Sequence, residues 1–544
     1  MIAIDHHFKV SAGPGAGKTH WLAMHVSHVL KVSKRLGKIG KVACLSYTNV
    51  GADTLMGRMC EKRNRILSCT LHRFLYTYIV KPYLHFIADE EGFNMGLLTG
   101  EDDRILSDYN TIETILKSVN QHYGEHDMVV SAIRSAKWKL KENGSLVCVA
   151  FPKKKCCKKG YLLKEEAYCV YKKLAWEKGY MHYDDVLYFS YKLIQKFPFI
   201  IKTIATQFPY IFIDEFQDTN PIQAKIIRLL GENDTVIGVI GDYAQSIYGF
   251  LGADPKQFET FSLNGIQNYT IKDNRRSCIE VVNLLNIVRP EFQQTAIRNE
   301  HGMIPLLLVG ELMDCYNEAQ KIAAEEVHAL SYRNIEANIL KQVYDAHDYN
   351  SGLLNQIVDC DYDRKEFVTT WIKVIEHARN QQFATSFRML ESIGIRELDA
   401  YTSLKEAIDD YNDYCNGSLK NFYDYLYDNW EIKKMRRGTE TFNFYSSHTY
   451  RQLALCVGLQ EDKSAQRTVH KAKGDEFNNV LVVFTKEKAL NSVLLQPDIK
   501  NNESDRVYYV AMSRARDRLF LTIPTLSKLI EESLRKLPIE IRYI

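Results

Sequence analysis

Ser11-Ala12-Gly13-Pro14-Gly15-Ala16-Gly17-Lys18-Thr19 is the stretch that decides the fold. A short apolar run, Phe8 to Val10, precedes it, and a helix-like run from His20 to Leu30 follows. Strand, glycine-rich turn and helix in that order build a phosphate cradle. Gly13, Gly15 and Gly17 let backbone amides close on phosphate oxygens, because no Cβ stands in the way. The helix N-terminus adds partial positive charge. Lys18 is placed to pair with the β and γ phosphates, and the Thr19 hydroxyl to ligate Mg²⁺. Pro14 and Ala16 fill out the cradle, Pro14 without an amide to donate. Ala12 stands where the strict pattern has its first glycine.

Working outward, Tyr210 to Ile213 is a continuous apolar run that ends in Asp214-Glu215-Phe216-Gln217-Asp218. A carboxylate at the C-terminal tip of a buried parallel strand faces the ligand crevice of an open α/β sheet. Asp214 is placed to hold the Mg²⁺ that Thr19 touches, and Glu215 to orient and polarise an attacking water. A second run, Thr235 to Ile240, ends in Gly241-Asp242-Tyr243-Ala244-Gln245-Ser246-Ile247-Tyr248-Gly249-Phe250. Gln245 there could feel the γ phosphate. Tyr248 and Phe250 read either as core or as faces on which bases stack. Lys41 to Thr48 is a third buried-strand run, leading into Asn49, and Cys69 to Phe74, with His72, opens a further helix.

At 544 residues the chain exceeds one core. Its 46% hydrophobic and 25% charged content is that of an ordinary globular protein. A net charge of +3 announces no global basic field, so any nucleic-acid surface must be local. No apolar run approaches the roughly 18 residues of a membrane helix, and the N-terminus is unlike a signal peptide. The expected location is cytoplasmic, with the twelve cysteines as free thiols. Cys148, Cys156, Cys157 and Cys169 follow no familiar zinc spacing. The run Pro152 to Lys159, with five lysines, reads as a solvated loop or as a contact to a nucleic-acid backbone.

Four blocks, taken in order, resemble the UvrD/Rep/PcrA superfamily 1 DNA helicases: residues 12–19, Ser-Tyr-Thr-Asn at 46–49, Asp-Glu-Phe-Gln-Asp-Thr-Asn at 214–220, and 241–253. The likeness continues through Asn274-Arg275-Arg276-Ser277, the stretch 468–477 and the stretch 509–516, so it spans nearly the whole chain. Even Leu330 to Asn334 resembles the family's strand after its fourth motif.

The resemblance implies an α/β fold with two RecA-like domains, each with a parallel sheet and a mostly helical inserted domain. The expected divisions are 1–83 and 180–258 for the first RecA-like domain with 84–179 inserted. For the second they are 259–345 and 466–544 with 346–465 inserted. It implies an ATP-dependent, Mg²⁺-requiring helicase that moves 3′→5′ on single-stranded DNA and meets single-strand/duplex junctions. Arg276 and Arg514 would reach the γ phosphate from the second domain, and Glu476 the ribose. Tyr47, Thr48, Asn49, His72, Tyr248, Phe250 and His470 would contact the strand. Such enzymes serve DNA repair, recombination or phage defence.

Departures from the pattern matter. Relatives carry an adenine-reading glutamine upstream of the cradle, whereas only eleven residues precede Ala12 and none is Gln. Arg275 stands where they have a stacking tyrosine, and its guanidinium plane can stack in turn. Looser discrimination among nucleoside triphosphates is the expectation. Leu251 replaces a common arginine. The compact size also resembles the helicase partner in Gabija-type phage defence, which leaves an alternative: an ATP-gated DNA sensor that regulates a partner nuclease.

Overall fold

The computed structural model describes residues 2–59, 63–98, 104–107, 109–121, 124–342, 353–458 and 464–544. Contacts divide the chain into two units. The first comprises Met1–Arg275, Glu291–Ile297 and Ile499–Arg506; the second comprises Arg276–Pro290, Arg298–Asp498 and Val507–Ile544.

The first unit is built on a six-stranded sheet of β1 (Phe8–Ala12), β2 (Val42–Ser46), β3 (Ile66–Thr70), β4 (Tyr210–Ile213), β5 (Val236–Gly241) and β6 (Gln267–Ile271). Its order is β3-β2-β4-β5-β1-β6, and every pairing is parallel. Side chains alternate between two cores. Tyr210 and Phe212 join Phe8, Val10, Leu22 and Val26, the last two from the helix Lys18–Val32. Ile211 and Ile213 join Phe74, Phe189 and Ile226 on the other face. A sheet covered on both faces needs apolar residues at every position, which is why these strands read as unbroken apolar runs.

β6 lies beyond residue 258, where the sequence reading ends the domain. It is an edge strand whose Gln267, Asn268 and Thr270 are exposed. Its polar composition hides it from a search for buried strands.

Between β3 and β4 the chain builds helices, including Tyr109–Ser118, His126–Ile133 and Glu165–Glu177, and an antiparallel pair, Ala136–Leu140 with Leu146–Ala150. This region shares one continuous apolar core with the sheet. At its centre Asp185 is fully buried. Its carboxylate accepts from the indoles of Trp138 (2.9 Å) and Trp176 (3.0 Å) and from the backbone of His182 (3.0 Å), and pairs with Lys172 at 2.8 Å. Burial pushes its pKa up, but Lys172 and His182 outweigh that and hold it far below the usual carboxylate range. A buried charge this well satisfied fixes the backbone around it.

The second unit has a sheet of β7 (Leu306–Val309), β8 (His328–Ser331), β9 (Gln466–Thr468), β10 (Phe477–Val483), β11 (Ala515–Ile523) and β12 (Glu540–Tyr543). Its order is β9-β8-β10-β11-β7-β12, again all parallel. Counted from its own first strand, each sheet has the same order, so the two units repeat one RecA-like α/β topology. Between β8 and β9 stands a region whose regular elements within residues 353–458 are helices, with its own core around Trp371, Leu390, Phe422 and Tyr450. The expected start of that insertion, residue 346, lies outside the described residues.

Among the described residues no helix is long and apolar enough to cross a membrane, and no cluster of His, Cys, Asp and Glu is arranged to hold a metal ion. Cys148, Cys156, Cys157 and Cys169 are free thiols, the first three buried.

Candidate functional site

The phosphate loop leaves β1 and enters the helix Lys18–Val32, whose N-terminus therefore opens on it. Gly15 and Gly17 take left-handed φ values of 70° and 74°, which other residues adopt at a cost. Gly13 is glycine for a different reason. A Cβ there would lie 2.4 Å from Nε2 of Gln294, which donates to the Pro14 carbonyl at 2.9 Å. The Gly13 amide is itself spent on Ile271 O (3.4 Å), and that of Ala16 on Gly13 O (3.3 Å). Arg275 sits beside the loop: its amide donates to Gly15 O at 2.9 Å, and its exposed guanidinium pairs with Asp273 at 2.7 Å.

β2, β3, β4 and β5 all end on the edge where the loop stands, because the sheet is parallel. At the tip of β4, Asp214 Oδ2 accepts from the Thr19 hydroxyl at 3.1 Å, and the Glu215 carboxylate stands 4.0 Å from the Lys18 ammonium. Burial first, and the Glu215 charge second, push Asp214 up to about 6 against the pull of Lys18 and Thr19. Two carboxylates facing one lysine leave surplus negative charge beside a hydroxyl, a donor set that fits a hard divalent cation such as Mg²⁺.

Glu215 has a φ of 54°, a left-handed conformation uncommon for this residue type. Strain of this kind persists where neighbours over-determine it. Gln217, fully buried, supplies the restraint: its amide donates to Glu215 Oε2, and its Oε1 accepts from Asp242 N at 3.0 Å. A Cβ at Gly241 would meet that oxygen at 2.4 Å. Gln245 is buried beyond β5, with its amide on Asp242 Oδ2 at 2.7 Å.

Aromatic side chains line the same edge. Tyr47, after β2, stacks on Tyr248 with ring centres 5.2 Å apart, and Tyr248 meets Phe250 edge-on at 6.2 Å. Phe250 is 54% exposed. His72, after β3, stacks on Tyr183 at 3.4 Å. Burial pulls its pKa to about 4, so the ring is neutral at ordinary pH. Thr48 caps the helix Asn49–Arg58 by accepting from Gly51 N at 3.1 Å, and Asn49 opens that helix, exposed.

The second unit gathers its cations around Glu476. Arg276 donates to that carboxylate at 2.9 Å and to Ser513 O at 2.9 Å, and Arg516 stands 3.8 Å away. Burial raises the Glu476 pKa, but Arg276, Arg516 and Arg514 outweigh it and hold the carboxyl below its usual range. Arg514 is buried against backbone, donating to Val510 O (3.1 Å) and Asp475 O (3.2 Å). Glu476 and Arg514 each directly precede a strand, whereas His470 follows β9 and lies with Tyr332 at the strands' other ends. The stretch 469–476 thus runs from one edge of the second sheet to the other.

Within the first unit the structure brings Lys18, Thr19, Asp214, Glu215 and Gln245 to one sheet edge, together with Tyr47, His72, Tyr248 and Phe250. Within the second it groups Arg276, Glu476 and Arg514 and sets His470 apart from them. The sequence reading assigns no role to Gln217, Tyr183 or Gln294. Gln217 lies inside a quoted motif. Tyr183 is flanked by His182, which contacts Asp185, and by Asp184, which is buried with it. Gln294 carries no local signal.

Comparison with known proteins is consistent across the chain. The UvrD/REP helicase N-terminal domain family matches residues 2–264, and the UvrD-like helicase C-terminal domain family matches residues 308–525. The ATP-dependent DNA helicase PcrA of Staphylococcus epidermidis is 21% identical over 97% of this chain and 83% of its own length. PcrA of Staphylococcus aureus is 23% identical over 68% of the chain and 52% of its own length. The ATP-dependent DNA helicase srs2 of Schizosaccharomyces pombe is 27% identical over 51% of the chain; the match spans about a third of that protein's length, 32%.

Proposed function

The chain belongs to the UvrD/Rep/PcrA-type superfamily 1 helicases, and from that premise we propose that it is an ATP-dependent DNA helicase that translocates 3′→5′ on single-stranded DNA. The observation that carries the reading is the shared sheet edge. Lys18, Thr19, Asp214 and Glu215 stand on it with the Tyr47–Tyr248–Phe250 row, so fuel chemistry and strand contact lie on one rigid scaffold.

Lys18 and the amides that open the helix bind the β and γ phosphates. Thr19 and Asp214 hold Mg²⁺, which when bound neutralises charge on the transferred phosphoryl group. Glu215 orients and polarises the attacking water, with Gln217 fixing its carboxylate. Gln245 reports the γ phosphate. Stacking on Tyr47, Tyr248 and Phe250 grips a strand whatever its sequence.

Strand displacement from substrates tailed on one side tests the reading. Unwinding of 3′-tailed duplex in the presence of ATP, and not of 5′-tailed duplex, is expected. The opposite polarity overturns the direction, and no single-strand-stimulated ATPase overturns the motor.

A further inference from the structure

The segment Ile499–Arg506 returns late in the sequence to pack in the first unit, against the loop that follows β5. Glu503 Oε1 accepts from Gly249 N at 2.9 Å. The carboxylate lies so close to that glycine that a Cβ there would stand 2.5 Å from Oε2. Arg506 is 6% exposed, and its guanidinium is spent on backbone carbonyls: Ser246 O at 2.7 Å, Ile499 O at 3.1 Å and Lys500 O at 3.2 Å. Ser246 in turn donates its hydroxyl to Gln217 O at 2.9 Å, and Gln217 holds the carboxylate of Glu215. An unbroken series of hydrogen bonds therefore runs from Arg506 through Ser246 and Gln217 to Glu215. The clamped loop bears Tyr248 and Phe250 at its outer end.

A buried arginine bonded to three backbone carbonyls fixes backbone position. We propose that Glu503 and Arg506 are positioning residues that couple strand occupancy at Tyr248 and Phe250 to the reactivity of the Glu215 water. The inference rests on the motor reading above. A strand pressing on Tyr248 loads the Ser246–Phe250 backbone, and the clamp converts that load into a fixed carboxylate rather than a sliding loop.

The test is steady-state ATPase titrated with oligo(dT), alongside oligo(dT) affinity by fluorescence anisotropy. Variants are Glu503→Ala, Glu503→Gln, Arg506→Lys and Gly249→Ala, each checked for a parental melting profile. Glu503→Ala should lower the DNA-saturated kcat by about tenfold or more, since small misplacements of reacting groups cost up to about 10²-fold, while oligo(dT) affinity shifts by less. Glu503→Gln keeps an acceptor for Gly249 N and should restore most of the rate. Gly249→Ala should mimic Glu503→Ala by displacing the carboxylate. Arg506→Lys should lie with the impaired variants. A DNA-saturated kcat within twofold of the parent in Glu503→Ala and Gly249→Ala overturns the inference and leaves the motor reading standing. A parental chain that oligo(dT) does not stimulate overturns both.

Discussion

Thr19 donates its hydroxyl to Asp214 Oδ2 across 3.1 Å, so the phosphate loop and the tip of β4 already share one hydrogen bond. That pair offers one neutral and one anionic oxygen to a hard cation. Asp214→Asn keeps the shape and removes the charge. It should abolish most of the Mg²⁺-dependent gain in nucleotide affinity, tenfold or more on the scale of a lost charged contact, about 1.5–3 kcal/mol. Titration of a fluorescent nucleotide with and without Mg²⁺ reads the effect; a gain equal to the parent's contradicts it.

Tyr183 is 58% exposed yet held by neighbours tied to the buried Asp185 network, and its ring lies flat on His72. We expect Tyr183→Ala to weaken oligo(dT) binding by about 1–3 kcal/mol, the usual worth of one base stack. Nucleotide affinity should stay at the parental value. Anisotropy with oligo(dT) and with mixed-sequence strands checks this, and equal losses on both are expected because every base has a face to stack.

Charge in the first unit is segregated. Residues 134–164 carry ten Lys or Arg against the single acid Glu142, in a chain whose net charge is +3. Lys153, Lys155, Lys158 and Lys159 are exposed around the buried Cys156 and Cys157, and the Cys156 amide donates to Tyr161 O at 2.8 Å. Replacing those four lysines with Gln should flatten the dependence of log K on log salt for tailed duplex by about one to three units, since each phosphate contact adds close to one. An unchanged slope assigns the run to solvent.

His25 lies on the helix that follows the phosphate loop, packed among Phe8, Trp21 and Phe212, with neither ring nitrogen hydrogen-bonded. Burial, with the charges of His28 and His6 adding, pulls its pKa from 6.5 down to about 4. The unfolded ring binds its proton first as pH falls. Stability from the neutral ring is therefore whole above pH 6.5, shrinks below it, and is gone under about pH 4. His25→Leu should remove about 2–3 kcal/mol of that acid-side loss, read as a flatter plot of melting temperature against pH between 6.5 and 4. A plot parallel to the parent's contradicts the assignment.

The sequence exposes the parts of this design whose physics is local. A cradle needs glycines at set spacings, and strands covered on both faces need apolar residues at every position, so β1, β2, β4 and β5 are plain to read. β6 is not, because an edge strand is free to be polar. Gly13 shows the limit more sharply. Its place in the cradle is legible, but its steric cause is Gln294, a residue distant in sequence with no motif of its own. Tyr183 and the Ser246–Arg506 contact are hidden for the same reason: each depends on segments that only the folded chain brings together. The Thr48 hydroxyl caps a helix, a structural role that its place in the quoted motif does not announce.

The most direct measurement is single-strand-stimulated ATP hydrolysis by Glu215→Gln. Loss of general-base assistance predicts a fall of about 10²- to 10⁴-fold in kcat, with nucleotide and oligo(dT) affinities close to the parent's. Turnover at the parental rate would contradict the central claim that this strained carboxylate, held by Gln217 opposite Lys18, activates the water.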